Sequence, residues 1–237
     1  MSASQAWMRL VDEASRPYRQ CGQFAWRFAR GKLSGDPAFR HILEQGLIAP
    51  ASRVLDLGCG QGLLASLLNA ASDMQARGAW PRDWQQAPVL PQVHGIELMA
   101  ADVRRARDAL DARATFVQGD IRDTPFSPAG VVVILDVLHY IGYDAQVQVL
   151  SRVKESLSPY GTILLRVSDA AGALPFRISN WVDHTVTFVR GHRLTRLYCR
   201  TLREWTAELE KLGFKVAQRP MSAGTPFANV LLVARLN

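Results

Sequence analysis

The 237-residue sequence is 48% hydrophobic, which is enough to build the core of one large domain with additions. Its formal net charge of +7 leaves nucleic acid, an anionic surface or an acidic substrate open as partners. The three cysteines have neither CxxC nor metal-type spacing, so no disulfide framework and no metal site is expected. An apolar signal segment is absent from residues 1–15, and the most apolar run, 130–142, is too short to span a membrane. We therefore expect a soluble, cytoplasmic protein.

Three helices are predicted before the first strand. The first two cover residues 4–15 and 17–30, with Pro17 as the first residue of the second helix and Gly31 as its end. Asp36 and Pro37 predict the N-cap and first residue of a third helix. This helical leader, residues 1–50, is basic, and we interpret most of it as a cover for a sheet. Its aromatic face is a candidate substrate wall formed by Tyr18, Phe24 and Phe28.

A glycine-rich turn follows the first predicted strand. The apolar run at 54–57 leads into Gly58-Cys59-Gly60-Gln61-Gly62, and a helical pattern covers 63–71. Glycines allow a sharp bend and let the backbone approach a ligand closely, and a helix N-terminus offers unpaired N–H groups. The pattern predicts a nucleotide-binding turn, with an ordinary strand-to-helix turn as the alternative.

The rest of the chain alternates between strands and helices. Residues 72–92, rich in tryptophan and proline, are predicted to be an insertion without lasting regular structure. Strands are predicted at 93–97, 115–120, 130–136 and 161–167, and helices at 99–112, 145–157 and 202–212. A closing pair of strands is predicted at 214–219 and 228–236. Between the strand 161–167 and the helix 202–212, the segment 172–200 combines aromatic residues with five arginines and is interpreted as a lid over the carboxyl ends of the strands.

An acidic residue lies at the end of each of four predicted strands. In a parallel sheet these ends face one crevice, so Asp56, Glu97, Asp120 and Asp136 are predicted to converge. For each acid taken alone, the alternative is a helix N-cap or a surface carboxylate. Four at equivalent positions favour a ligand site.

Chemistry suggests a role for each acid. An ionised carboxylate has two acceptor oxygens, so Glu97 suits the two hydroxyls of a ribose. Asp120 can accept from an adenine amino group, with Leu98 and Ile121 as apolar faces on either side of the ring. Asp56 and Asp136 are predicted to lie nearest the turn, where an ammonium or sulfonium group needs negative charge.

A dinucleotide site is the main alternative for the turn. The nicotinamide fingerprint has glycine at its sixth position, where this chain has Leu63, and a pyrophosphate gains nothing from neighbouring carboxylates. The acids therefore favour a cationic cofactor.

Residues 53–167 resemble class I S-adenosylmethionine-dependent methyltransferases. The resemblance is carried by Val54–Gly62, Gly95-Ile96-Glu97, Gly119-Asp120 and Leu135–Tyr140. It implies an α/β, Rossmann-like doubly wound sheet of seven strands, six parallel and the last antiparallel. It also implies S-adenosylmethionine (SAM) as cofactor, with Gly58, Cys59, Gly60 and Gly62 against its methionyl part, Glu97 on the ribose, and Asp120 with Ile121 on the adenine. Asp136 and His139 would border the methyl-transfer site.

The leader is also similar to the methyltransferases of bacterial aryl polyene pigment clusters. The similarity lies in Tyr18-Arg19, Phe28–Leu33 and Asp36-Pro37. It implies an aromatic or polyketide-like acceptor, either free or bound to an acyl carrier protein, for O- or C-methylation. The residues predicted to contact it are Tyr18, Tyr140, Phe176, Trp181 and Arg190.

His139 is the candidate base for the acceptor proton, because it titrates near neutrality and follows a central strand. A structural role for His139 is the alternative, and His184 and His192 in the lid are further candidates.

We expect a single methyltransferase domain, divided into the leader (1–50), the cofactor-binding core (51–168), the lid (169–200) and a closing helix with strands (201–237).

An RNA or protein methyltransferase is the second hypothesis for the function, since the net charge is +7. Nucleic acid is disfavoured because no RNA-binding motif is appended and no Asn-Pro-Pro-Tyr type motif follows the fourth strand. A cofactor-binding module without catalysis is the third hypothesis.

Overall fold

The computed structural model describes residues 2–168, 197–221 and 229–236. Its helices are α1 (Ala3–Ser15), α2 (Gln23–Gly35), α3 (Pro37–Glu44), α4 (Leu63–Ala76), α5 (Ala100–Leu110), α6 (Tyr143–Ser156) and α7 (Leu202–Lys211). Its strands are β1 (Arg53–Leu57), β2 (Gln92–Glu97), β3 (Thr115–Gln118), β4 (Ala129–Leu135), β5 (Leu157–Ser168), β6 (Phe214–Pro220) and β7 (Asn229–Leu236). Short 3-10 helices include Arg16–Arg19 and Leu138–Tyr140.

The strands form a seven-stranded mixed sheet in the order β3-β2-β1-β4-β5-β7-β6. β2 is parallel to both β1 and β3, whereas the last strand, β7, is antiparallel to β5 and β6. The predicted fold class is therefore confirmed: an α/β, Rossmann-like sheet with six parallel strands and an antiparallel last one. Among the described residues, none of the helices is both long enough and apolar enough to cross a bilayer.

The chain divides into two compact units, one ending at Val131 and the other beginning at Val132. The prediction of a single domain stays a prediction. In the first unit, α4 lies against α1 and is buried on nearly every side from Leu63 to Ala71. A helix that is buried all round needs cover on both faces, and the buried face of α1 supplies Trp7, Leu10 and Val11. The leader therefore covers the first helix of the core.

The second predicted helix was placed wrongly. Pro17 lies in the 3-10 helix instead, and α2 begins only after Gly22, which has a φ of 101°. Gly31, which was predicted to end the helix, lies inside α2, where an added Cβ would meet no atom of the described chain within 4 Å. The predicted cap of the third helix is correct, because the Asp36 side chain accepts from the Ala38 N–H at 3.0 Å.

The predicted insertion begins later than the sequence suggested, since α4 continues through Ala76. The irregular segment after it is nonetheless ordered by contacts with the leader and with itself. The Trp80 and Trp84 rings meet edge to face with centroids 5.3 Å apart, and the Gln85 N–H donates to the Glu44 carbonyl.

The second unit is built around the antiparallel pairing of β7 with β5 and β6. The register runs from Thr162 opposite Arg235 to Ser168 opposite Asn229, so the apolar centres of the strands align. β5 begins earlier than predicted, at Leu157. α7 has a capping box in which the Thr201 side chain accepts from the Glu204 N–H and the Glu204 carboxylate accepts from the Thr201 N–H.

Candidate active site

The glycine turn after β1 is formed by three residues in the left-handed region: φ is 71° at Gly58, 55° at Gly60 and 78° at Gly62. The Gly58 and Cys59 N–H groups donate to the Ile96 carbonyl at 2.8 and 3.2 Å, which fixes the turn on β2. An added Cβ at Gly62 would lie 2.8 Å from the Phe116 ring, whereas one at Gly60 would meet no atom of the described residues within 4 Å. Gly62 is thus required by packing, and the described part of the chain leaves the space beside Gly60 open.

Glu97, at the end of β2, is held by two backbone groups. Its Oε2 accepts from the Gly60 N–H at 2.9 Å and its Oε1 from the Met99 N–H at 2.8 Å. These bonds fix the orientation of the carboxylate, and each oxygen keeps a second lone pair. The carboxylate is therefore preorganised beside the turn, as the predicted ribose contact requires.

Asp56 lies at the end of β1 with 5% of its surface exposed. Burial raises the pKa of Asp56 to about 7, and the negative charge of Glu97 contributes in the same direction. Burial also raises the pKa of the neighbouring Cys59 thiol well above its usual value. A group with a positive charge would stabilise the ionised form of Asp56, whereas a phosphate would disfavour it.

Because the pKa of Asp56 is higher in the folded protein than its usual 3.8, ionisation costs stability as the pH rises toward 7. We expect Asp56→Asn to raise the free energy of unfolding at pH 8 by about 1–3 kcal/mol, since the amide still pays part of the desolvation cost. The gain should be smaller at pH 5, where Asp56 is protonated in the folded state. Urea titrations of the ligand-free proteins at both pH values test this; a gain independent of pH would contradict it.

The Asp120 carboxylate forms an ion pair with a neighbouring arginine. The Arg122 guanidinium donates to both oxygens of Asp120, at 2.6–3.0 Å, and holds the pKa of that carboxyl below its usual range. Such a half-exposed ion pair is weak, so a ligand amino group can compete for the carboxylate. Of the two predicted apolar faces, Leu98 is 51% exposed and Ile121 is 7% exposed. The adenine contacts stay predictions.

Tyr18 was predicted to contact the substrate, and the structure corrects this. None of its surface is exposed, and its hydroxyl donates to the Gln61 carbonyl at 2.8 Å. Burial raises the pKa of Tyr18 well above its usual value, so the phenol remains a donor. The Tyr18 hydroxyl thus holds the glycine turn, and the buried ring offers no face to a substrate. Phe24, by contrast, is largely exposed and stacks on Phe28 with centroids 6.3 Å apart.

In the second unit, Asp136 follows β4 with a φ of 58° and binds an arginine that the sequence analysis missed. Arg166 of β5 donates from Nε to Oδ1 of Asp136 at 2.9 Å and from Nη2 to Oδ2. The side chain of Arg166 is 2% exposed and that of Asp136 is 27% exposed. Asp136 therefore compensates a buried guanidinium, and its charge is not fully available to a cationic ligand.

We expect Asp136→Asn to lower the free energy of unfolding by about 2–4 kcal/mol, because it leaves the buried Arg166 charge without its carboxylate. Asparagine tolerates positive φ, so the backbone contributes little to this loss. Adding Arg166→Met should recover much of the stability. As a control, Asp73→Asn breaks an exposed pair with Arg113 and should cost less than about 1 kcal/mol. Equal stability of single and double variants would contradict the pairing argument.

His139 lies in the 3-10 helix after β4, is 8% exposed, and meets the Tyr140 ring with centroids 4.2 Å apart. Burial lowers the pKa of His139, and the charge of Asp136 offsets this only in part. The imidazole is therefore neutral at pH 7, which is the form that a base requires.

The main chain around His139 is fixed by a buried glutamine. The Gln146 amide donates to the carbonyls of Leu138, Ile141 and Tyr198 at 3.0, 3.1 and 2.7 Å. Its oxygen accepts from Arg200 Nε at 2.8 Å, and the Tyr198 N–H donates to the His139 carbonyl at 2.9 Å. Gln146 thus joins the His139 helix to the segment 197–200.

The remaining predicted residues, Phe176, Trp181 and Arg190, and the lid histidines His184 and His192, lie outside the described residues. In the part of the chain that the structure describes, no group of three or more His, Cys, Asp or Glu side chains is arranged to hold a metal ion.

Comparison with known proteins identifies the class. A family model described as a methyltransferase domain matches residues 22–219. The chain therefore belongs to the methyltransferase-domain family, and the class predicted from the sequence is confirmed. The finer similarity to the aryl polyene enzymes stays a prediction.

The chain is 30% identical over 140 residues to the carboxy-S-adenosyl-L-methionine synthase of Chromohalobacter salexigens, covering 54% of this chain and 47% of that protein. It is also 30% identical over 132 residues to the acetylserotonin O-methyltransferase of Mus musculus, covering 55% of this chain and 32% of that protein. It thus spans about half or less of these relatives. A solved structure with a similar fold is the magnesium protoporphyrin IX methyltransferase of Synechocystis PCC 6803 with bound S-adenosylhomocysteine (SAH), the demethylated form of SAM. It superposes with a TM-score of 0.59 at 18% identity, covering 91% of this chain and 88% of that one.

Proposed function

We propose that this chain transfers a methyl group from SAM to a small-molecule acceptor. The observation that carries the proposal is the pairing of Glu97 with the glycine turn: a carboxylate oriented by the Gly60 and Met99 N–H groups lies beside a backbone at Gly60 that no other described residue covers. An adenosyl cofactor needs both features, because its ribose offers two donors and its methionyl part needs close approach to the backbone.

The charge of the site favours a sulfonium over a pyrophosphate. Asp56 already has a pKa of about 7, raised by burial and by Glu97. A pyrophosphate would add negative charge beside both carboxylates, whereas a cation would relieve their repulsion. This supports SAM and argues against the dinucleotide alternative.

In this proposal, one set of residues binds the cofactor and another residue removes the proton of the acceptor. When bound, SAM supplies a methyl group already activated by its positively charged sulfur. Gly58, Gly60 and Gly62 hold the methionyl part, Glu97 the ribose and Asp120 the adenine. His139 accepts the proton that the acceptor loses, and its neutral state at pH 7 suits that role.

The acceptor is proposed to be aromatic or conjugated, either free or bound to an acidic carrier protein. Tyr140 stands beside the proposed base, and the Tyr143 and Tyr198 rings meet edge to face with centroids 5.5 Å apart. Such aromatic side chains suit a planar acceptor. Relatives and structural neighbours named for porphyrin and acetylserotonin methylation support the same class.

Carboxy-SAM synthesis is a second candidate function, favoured by the similarity to the synthase of Chromohalobacter salexigens.

The proposed methyl transfer is tested by incubating the protein with methyl-labelled SAM and three acceptor sets: free hydroxyaryl acids, a hydroxyaryl thioester on an acyl carrier protein, and RNA. Mass spectrometry should show label on an aromatic acceptor and SAH as the spent cofactor. Label on RNA alone would favour the nucleic-acid hypothesis. The second candidate needs a donor for the carboxyl group, so it is tested in a parallel incubation of SAM with a carboxylic acid that readily loses CO2, where a cofactor heavier than SAM by that group would favour it.

A further inference from the structure

Gln61, in the middle of the glycine turn, is bound to two parts of the leader. Its side-chain amide donates to the Ala25 carbonyl of α2 at 3.1 Å, and its own carbonyl accepts from the Tyr18 hydroxyl at 2.8 Å. Gln61 and Tyr18 are both buried, so neither bond can be replaced by water without opening the structure. We call these two hydrogen bonds the leader latch.

The latch and Glu97 form hydrogen bonds with adjacent residues of the same turn. Glu97 binds the Gly60 N–H, and the latch binds Gln61, which stands between Gly60 and Gly62, both with positive φ. Glycines in that region have few constraints of their own, so the conformation of the turn depends on these external bonds. Losing either bond while the leader stays docked would leave a buried polar group unpaired and the turn less restrained.

We propose that Tyr18 and Gln61 are positioning residues that couple docking of the leader to cofactor binding. The proposal rests on the cofactor role assigned to the glycine turn above. The latched leader holds the turn in the conformation that receives the methionyl part. By thermodynamic reciprocity, the bound cofactor must then stabilise the leader by the same factor by which the latch improves affinity.

Another bond of the leader provides a control. The Gln20 amide donates to the Asp108 carbonyl of α5 at 2.6 Å, so it has the same chemistry as the Gln61 bond but does not involve the turn. Gln20→Ala therefore removes one leader hydrogen bond and leaves the latch in place.

The experiment measures SAH affinity by calorimetry and amide hydrogen exchange of α2 with and without SAH. The proteins are wild type, Tyr18→Phe, Gln61→Ala, Gln20→Ala and Gly60→Val. Tyr18→Phe keeps the buried ring, so the test survives if Gln61→Ala folds poorly. We expect both latch variants to bind SAH about 5- to 20-fold more weakly, in line with the loss of one buried hydrogen bond. SAH should slow exchange in α2 of wild type and Gln20→Ala by several-fold, and much less in the latch variants.

Wild-type affinity in both latch variants, or weaker affinity with the full exchange response of α2 retained, would overturn the coupling. Gly60→Val separates this failure from a failure of the cofactor site. If Gly60→Val binds SAH normally, the turn is not the cofactor site. If it does not bind while the latch variants behave as wild type, the site stands and only the latch is wrong.

Discussion

His139→Ala should lower kcat by about 10²- to 10⁴-fold while leaving SAH affinity within about twofold of wild type, because general-base catalysis contributes that much to proton transfer. The pH profile carries a second signature. Since burial lowers the pKa of His139, the acid limb of kcat/KM in the wild type should lie below pH 6.5, the usual value for histidine. In His139→Ala that limb should vanish, leaving the small residual rate independent of pH in this range.

A matched histidine controls for the pH effect. His94 of β2 also has a pKa lowered by burial, and its Nδ1 lies 2.9 Å from the Thr115 hydroxyl. His94→Ala should keep both the rate and the acid limb. If His139→Ala retains turnover within about threefold, or loses turnover but keeps the acid limb, His139 is structural and another group accepts the proton.

Gly60→Val should weaken cofactor binding by at least about 100-fold while the protein stays folded. An added Cβ at Gly60 meets no atom of the described residues within 4 Å, so we expect the branched side chain to occupy the space proposed for the ligand. The cost to the protein is local, because a β-branched residue at a φ of 55° is strained by about 1–2 kcal/mol.

Gly78, just after α4, provides the matched control. It has a φ of 66°, and among the residues that the structure describes an added Cβ there also meets nothing within 4 Å. Gly78→Val should therefore lose as much stability as Gly60→Val but bind SAH like wild type. Thermal melts with and without saturating SAH distinguish the two variants. Equal stabilisation of both by SAH would mean that Gly60 serves the turn and not the ligand.

Much of the fold could be predicted because the strands carry strong local signals. β4 is a nearly continuous run of buried β-branched residues, and the glycines of the turn after β1 all have positive φ. The antiparallel last strand came from the resemblance, since periodicity does not give strand direction. The helices of the leader were harder to predict. The position of Pro17 indicated a helix start, but α2 begins after Gly22, and Pro17 lies in the 3-10 helix before it.

The candidate site was less predictable, because its support comes from contacts between distant residues. Arg166 had a detectable signal: a lone arginine in the apolar strand 163–167 needs a carboxylate partner, and Asp136 is that partner. Gln61 and Gln146 had no such sequence signal, because hydrogen bonds from a side-chain amide to backbone carbonyls depend on how distant segments pack. The burial of Tyr18 is of the same kind, which is why the sequence suggested an exposed substrate wall.

The most direct test is a calorimetric titration of SAH into wild type and Glu97→Ala, with circular dichroism to confirm that both are folded. We predict micromolar binding to wild type, about −7 to −8 kcal/mol. Glu97→Ala should bind about 10- to 100-fold more weakly, because two charge-assisted bonds to the ribose are lost together with the carboxylate that orients the Gly60 N–H. Unchanged affinity in a folded Glu97→Ala protein, or no binding of SAH to wild type, would contradict the assignment of the turn and Glu97 as the cofactor site.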